Sequence, residues 1–480
     1  MFKISRALGA SAAMLFLAAQ AHPDTIVLKN GRRIVAFNAV EIGDKVSYET
    51  SAGQLSIPKS IVDHIERGGL MPMMDSPAAA AASLNLSAPG VDSMAGASEI
   101  DKSAVHDGAI DVAYLARLED EARSGAGKSA ERAALAEHAA AQFMASRGDL
   151  PHALAYERKA LALLPKQPEF LLTMGYFHLR QSEFKESLEY VEKARRITPN
   201  NVEVFKLAGW AYYGMNKPDL AVKEWTRAQE IHPESGVQAA LEKAQRDKTE
   251  EENYKENESA HFELRYNGAA APTLAREVLH VLEGHYAQIE SELNYSPPEP
   301  IGVVLYTQQA FADITNAPGW VGAMNDGRIR VPVQGLSGVD SELSRVLRHE
   351  LTHSFIQQKT HGRAPTWIQE GLAQWMEGKR SDQNAGVLVQ VYQGGQAASL
   401  GRLEGSWMKL PDDAARYAYA WSLANVEYIV QTGGMADVER ILDRIGAGSS
   451  AEEAVKSVLR DDYPELMQDT SEYLKKSYGR

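Results

Sequence analysis

The sequence predicts a multidomain chain: a small N-terminal β-barrel-like module, an α-solenoid, and an α+β domain with a helical C-terminal part. Three observations carry this. Residues 25–65 alternate apolar and polar positions in short runs, prolines recur at 34-residue spacing between residues 129 and 248, and beyond residue 259 strand-like and helix-like periods alternate around His349-Glu350-Leu351-Thr352-His353. A length of 480 residues allows about three domains. The chain is 44% hydrophobic and 24% charged, as expected of a soluble globular protein. Its net charge of -14 and pI near 5.5 disfavour nucleic acid or an anionic membrane as partner. No local run of basic residues offsets this.

Lys3 and Arg6, the apolar run from Leu8 to Ala18, and Ala19-Gln20-Ala21 read as a cleavable signal peptide over residues 1–21, with a mature start at His22. An uncleaved anchor is the alternative, but the apolar stretch is short for a span. The sequence has no cysteine, hence no disulfide and no lipid-bearing cysteine after the signal. The expectation is a periplasmic or secreted protein with no membrane span in its mature chain. In residues 22–67, turn signals at Asn30-Gly31, Gly43-Asp44 and Ala52-Gly53 mark four or five short strands of a curled sheet. This module is similar to small SH3-like folds, without a motif that fixes its role. Residues 68–128 open on Ala, Ser, Gly, Met and Pro, including Pro77 followed by five alanines, and are expected to form a flexible linker.

Residues 129–248 repeat. Pro165, Pro199 and Pro233 are aligned with Ala153, Ser187 and Ala221, with Ala160, Ala194 and Ala228, and with the glycine pair Gly175 and Gly209. The pattern resembles tetratricopeptide repeats, helix pairs in which small residues at fixed places let the helices approach and proline ends the second helix. Three copies and a polar helix over Gln238–Arg246 would form a short solenoid. The resemblance implies a surface that docks a partner or presents substrate, the alternative being a rigid spacer. The charged run Asp247–Glu258 reads as a solvated connection.

In the last domain, residues 259–480, Ile301–Tyr306 reads as a buried strand and Gln308–Thr315 as a short helix. Gly327–Pro332 reads as an alternating strand entered by an Asn325-Asp326-Gly327 turn and kept at a sheet edge by Pro332. A helix follows. Leu343, Val346, Leu347, Phe355 and Ile356 recur at helical spacing and indicate that it is buried. On it, His349 and His353 are four residues apart, so both imidazoles reach one metal ion, while Glu350 faces a water on that metal. Seventeen residues beyond His353, Glu370 opens a second helix with Trp367 and completes a two-nitrogen, one-oxygen ligand set suited to a single Zn²⁺ with an open fourth position. Zinc lowers the pKa of a bound water from about 16 to about 7, so Glu350 could take its proton and hand it to a leaving amine. A three-histidine site is excluded, because Ile356 and Lys359 stand where it needs Gly and His. His361 and Glu377 are weaker candidates for third ligand.

From about Ser259 onward the chain resembles the peptidase MA-like domain of gluzincin zinc metallopeptidases. Leu347–His353 and Pro365-Thr366-Trp367-Ile368-Gln369-Glu370-Gly371-Leu372-Ala373 match both halves of that family's pattern. The resemblance implies His349, His353 and Glu370 as ligands, Glu350 as general base, and an edge strand that pairs with extended substrate. It further implies a C-terminal helix in which Tyr419, within Tyr419-Ala420-Trp421-Ser422, donates to the oxyanion. Tyr417 competes for that role, and a core aromatic is the plainer reading. Where many gluzincins carry an Asp that accepts a hydrogen bond from a ligand histidine, this chain has Gln374, a weaker acceptor. The reading is an exported zinc metallopeptidase acting on a peptide or protein substrate, with a protein partner on its repeats. A non-catalytic adaptor in envelope assembly is the alternative, and cell-wall peptides are a second substrate class.

Overall fold

The computed structural model describes residues 24–479, apart from 30–32, 44, 51–52, 67–72, 75–96, 107, 126–127, 148, 269–271, 316–322, 334–335, 337, 406, 408–409 and 411. The expected signal over residues 1–21 and most of the Ala- and Pro-rich stretch lie outside these residues. Two compact units can be separated. The smaller contains five strands: β1 (Asp24–Leu28), β2 (Arg33–Ile42), β3 (Lys45–Thr50), β4 (Gly53–Pro58) and β5 (Val62–Glu66). They form an antiparallel sheet of order β4-β3-β2-β1-β5 whose core is Ile26, Ala39, Val46, Tyr48 and Val62. Alternation along β3 follows directly, with Val46 and Tyr48 inward.

The larger unit begins with β6 (Met73–Met74) and then departs from the expected linker. Residues 97–123 are ordered as α1 (Ala97–Ala104), a hairpin of β7 (Val105–His106) and β8 (Ala109–Ile110), and α2 (Val112–Arg123). Ile100, Leu115 and Leu118 fall at helical spacing and bury against α3 (Ser129–Ser146), and the Asp111 side chain caps α2 through the Tyr114 amide. Composition averaged over 68–128 hid these few apolar residues.

Six helices follow: α4 (Leu150–Leu163), α5 (Pro168–Arg180), α6 (Phe184–Ile197), α7 (Val202–Gly214), α8 (Pro218–Ile231) and α9 (Ser235–Glu251). The closest neighbours are α3 with α4, α5 with α6 and α7 with α8, so the 34-residue period corresponds to a helix pair. The aligned glycines explain the closeness. A Cβ on Gly175 would meet Val191 at 2.8 Å, and one on Gly209 would meet the Trp225 ring at 2.3 Å.

The second sheet contains β9 (Lys255–Glu258), β10 (Phe262–Tyr266), β11 (Ile301–Tyr306), β12 (Met324–Asn325) and β13 (Arg328–Pro332), in the order β6-β12-β13-β11-β10-β9. Strands β10, β11 and β13 run parallel, and every residue of β11 is buried, as a strand flanked and covered on both faces requires. Two expectations are corrected here. The strand Arg328–Pro332 lies inside the sheet, because β12 pairs antiparallel with its outer side and β6 pairs parallel with β12. Nor is the run from Asp247 a solvated connection: Asp247 and Glu251 are buried on α9 and hold the two arginines of β13.

Around this sheet lie α10 (Pro272–Leu293), α11 (Gln308–Thr315), α12 (Ser341–Lys359), α13 (Thr366–Met376), α14 (Ala385–Gln393), α15 (Asp412–Gly433), α16 (Met435–Gly446), α17 (Ala451–Leu459) and α18 (Tyr463–Tyr478). No helix among the described residues is long and apolar enough to cross a membrane.

A candidate metal centre

Helix α12 starts at Asp340, whose carboxylate accepts from the Leu343 amide at 2.8 Å. Leu343, Val346, Leu347, Leu351, Phe355 and Ile356 are all buried, so the helix runs through the core, and His349, Glu350, Thr352 and His353 are buried with them. His349 and His353 lie one turn apart with their rings edge to face, their Nε2 atoms 3.1 Å from each other. Helix α13 enters after Pro365 and brings Glu370 in from the other side, with Oε2 3.6 Å from His349 Nε2 and Oε1 3.8 Å from His353 Nε2. These are the three residues whose donor atoms converge among the described residues. Donors about 2.1 Å from a tetrahedral ion stand about 3.4 Å from one another, so the three separations bracket the edges of such a site. The donor set fits zinc.

Electrostatics point the same way. All three side chains and Glu350 are buried. Burial opposes charge on His349, yet the carboxylates of Glu377 and Glu370 raise it to about 9. Burial and the neighbouring His349 charge push His353 well below its ordinary value, leaving a neutral imidazole. The carboxylates thus require a positive charge between them, which a proton on His349 or a divalent cation can provide. Burial pushes Glu350 up to about 8, and Glu370 and Glu377 act in the same direction. Both Glu350 oxygens lack a hydrogen-bond partner among the described residues. A buried carboxyl without partners that changes protonation near neutrality is suited to taking and returning a proton.

The groups behind the ligands differ from expectation. Among the described residues, no histidine donates to Gln374. Its amide donates to the main-chain carbonyls of Glu370 at 3.1 Å and Tyr419 at 3.0 Å, tying α13 to α15. The carboxylate at the outer nitrogen of His349 belongs to Glu377, two turns along the same face from Glu370, with Oε1 3.4 Å from Nδ1. His349, Lys379 and Arg345 hold Glu377 down at about 2 despite its burial. Gln369 acts on His353 in the sense opposite to burial. Glu377, weighed as a metal ligand, lies behind His349 and outside the converging group, as does His361 in the loop after α12.

Tyr419 and Tyr417 separate clearly. The Tyr417 hydroxyl accepts from Trp421 Nε1. Tyr419 is buried with its ring edge-on to Trp407, and burial together with the charges of Glu370 and Glu350 raises its hydroxyl well above the ordinary tyrosine value. Gly371 permits this approach of α15: a Cβ there would lie 2.4 Å from the Ser422 carbonyl oxygen. A further contact was invisible in the sequence. Asn325, read as a turn residue, donates through Nδ2 to the Glu350 carbonyl at 2.8 Å and to Ser354 Oγ at 2.7 Å, fastening β12 to the motif helix.

Residues 287–476 match the family model described as the Peptidase MA superfamily. The match contains every residue of the centre, and begins inside α10 rather than at the expected residue 259. No curated protein matches the chain. The matched segment is thus peptidase-like in family, and zinc is the metal typical of that superfamily.

Proposed function

We propose that this chain is an exported, zinc-dependent peptidase of gluzincin type that hydrolyses peptide bonds. The observation that carries the reading is the convergence of His349, His353 and Glu370 beside a Glu350 carboxylate without partners. His349, His353 and Glu370 would hold the zinc ion, which when bound would polarise a carbonyl and acidify a water. Glu350 accepts the proton of the attacking water and returns it to the departing amine. Tyr419 donates to the oxygen on which negative charge develops, and its raised hydroxyl keeps the proton it needs for that role. Glu377 fixes the tautomer and orientation of His349. An extended substrate would pair with β12, taking the place of Met73–Met74.

The helical array is read as tetratricopeptide repeats that bind a partner or substrate, on the strength of the proline period and the packing at Gly175 and Gly209. Export rests on the N-terminal signal pattern. Cleavage of an unfolded polypeptide and of cell-wall peptides, measured with zinc and then with chelator, tests the activity. The expected result is chelator-sensitive cleavage of the polypeptide by wild type and none by Glu350→Gln. Cleavage confined to cell-wall peptides would move the substrate class. Zinc-loaded wild type inert on both would favour the adaptor.

A further inference from the structure

Arg147 follows the last turn of α3, Arg180 ends α5, and Arg363 sits in the connection between α12 and α13. Far apart in sequence, they line one concavity of about 450 Å³ with Gln142, Ser146 and Tyr176, and no carboxylate is among its lining residues. Its side chains are held in place. Arg363 Nη2 donates to the Gly448 carbonyl at 2.6 Å, and Arg180 Nη1 donates to the Tyr176 hydroxyl at 2.9 Å.

The acids around the concavity are engaged elsewhere. Asp149 caps α4 and contacts His152 at 2.8 Å, Glu183 contacts His178 at 2.6 Å, and Glu453 closes a capping box with Ser450. Neither Arg147 nor Arg180 has a carboxylate within 4.0 Å among the described residues. Burial and the nearby Arg180 charge depress Arg363, with Asp149 opposing them in part, so a bound anion would relieve two like charges held close together.

We infer that this concavity is a carboxylate-binding site that receives an acidic segment of a peptide, its Asp or Glu side chains held by Arg147, Arg180 and Arg363. Guanidinium forks suit planar carboxylates. In a chain of net charge -14, a polyanionic surface such as a nucleic acid duplex is repelled everywhere else, whereas a short acidic segment needs only the concavity. Position gives the site consequence. Arg363 belongs to the segment Thr360–Pro365 that joins the helix bearing His349 and His353 to the helix bearing Glu370. The inference does not depend on hydrolysis.

The test is fluorescence anisotropy on the full chain carrying Glu350→Gln, with a labelled, C-terminally amidated peptide of alternating Glu and Gly. The matching Gln peptide with a free C-terminus is the control. The Glu peptide should bind at least about 10-fold more tightly than the control, and less tightly as salt rises. Arg147→Gln and Arg180→Gln should each weaken it by about 10-fold, equivalent to one charge-assisted contact, with the thermal midpoint unchanged. Arg227→Gln, outside the concavity, should bind like the parent. Equal binding of the two peptides, unchanged binding in the Arg147→Gln/Arg180→Gln double variant, or no binding of the Glu peptide would each overturn the assignment.

Discussion

Arg330 donates to both oxygens of Asp247 at 2.9 Å, and Arg328 reaches both oxygens of Glu251 at 2.6 and 3.0 Å. Tyr213, Tyr306, Asn216, Asp326, Lys243 and Arg265 complete that cluster, so four cations meet three carboxylates. At the metal centre in the same unit, burial is as deep but satisfaction is not: both Glu350 oxygens, Glu370 Oε2 and the Nδ1 atoms of His349 and His353 lack hydrogen-bond partners. In the arginine cluster Arg328 Nε and Asn216 Nδ2 are the atoms left over among the described residues. The first cluster closes its charges to join the helical array to the sheet. The second leaves its groups open, which destabilises the fold locally and suits groups that must bind and react.

The largest effect expected from breaking the contrast is on chemistry. Glu350→Gln should lower the cleavage rate by about 10²–10⁴-fold, read from initial rates at saturating zinc, while thermal stability holds or rises. Breaking the closed cluster should instead unfold. Asp247→Ala leaves Arg330 buried without its partner and should cost about 3–5 kcal/mol in urea unfolding, with much of it recovered in Asp247→Ala/Arg330→Met. Smaller again is the effect of the group behind the ligand. Glu377→Gln should weaken zinc about 10–100-fold in a chelator competition, whereas Gln374→Ala should leave affinity nearly unchanged.

The smallest effect concerns Glu137 in α3, buried and raised to about 7 by burial and by Glu119. Its folded-state value exceeds the unfolded one of about 4.5, so its contribution is full below about pH 4.5 and is lost as pH rises to about 7. Unfolding midpoints of wild type and Glu137→Gln should therefore diverge across that window, the variant becoming relatively more stable at high pH, and run parallel above it.

What the sequence revealed follows from range. His349, Glu350 and His353 lie within two helical turns, and Glu370 follows its own helix start, so local periodicity sufficed to group them. The helix pairs were legible for the same reason, through Pro165, Pro199 and Pro233. Arg328 and Arg330 looked like the solvent side of an edge strand because their partners lie on α9, more than seventy residues earlier. Glu377 and Asn325 act across helix and strand contacts that spacing does not encode. The concavity formed by Arg147, Arg180 and Arg363 was invisible where only runs of basic residues were sought. In the expected linker, Ile100, Leu115 and Leu118 were outvoted by alanines.

Metal content tests the central claim most directly. Wild type, Glu350→Gln and His353→Ala, purified side by side under zinc-replete conditions and dialysed, should carry about one zinc, about one zinc and little zinc per chain, since a neutral imidazole is required and the base is not a ligand. Wild type without zinc, or His353→Ala retaining it, would contradict the account.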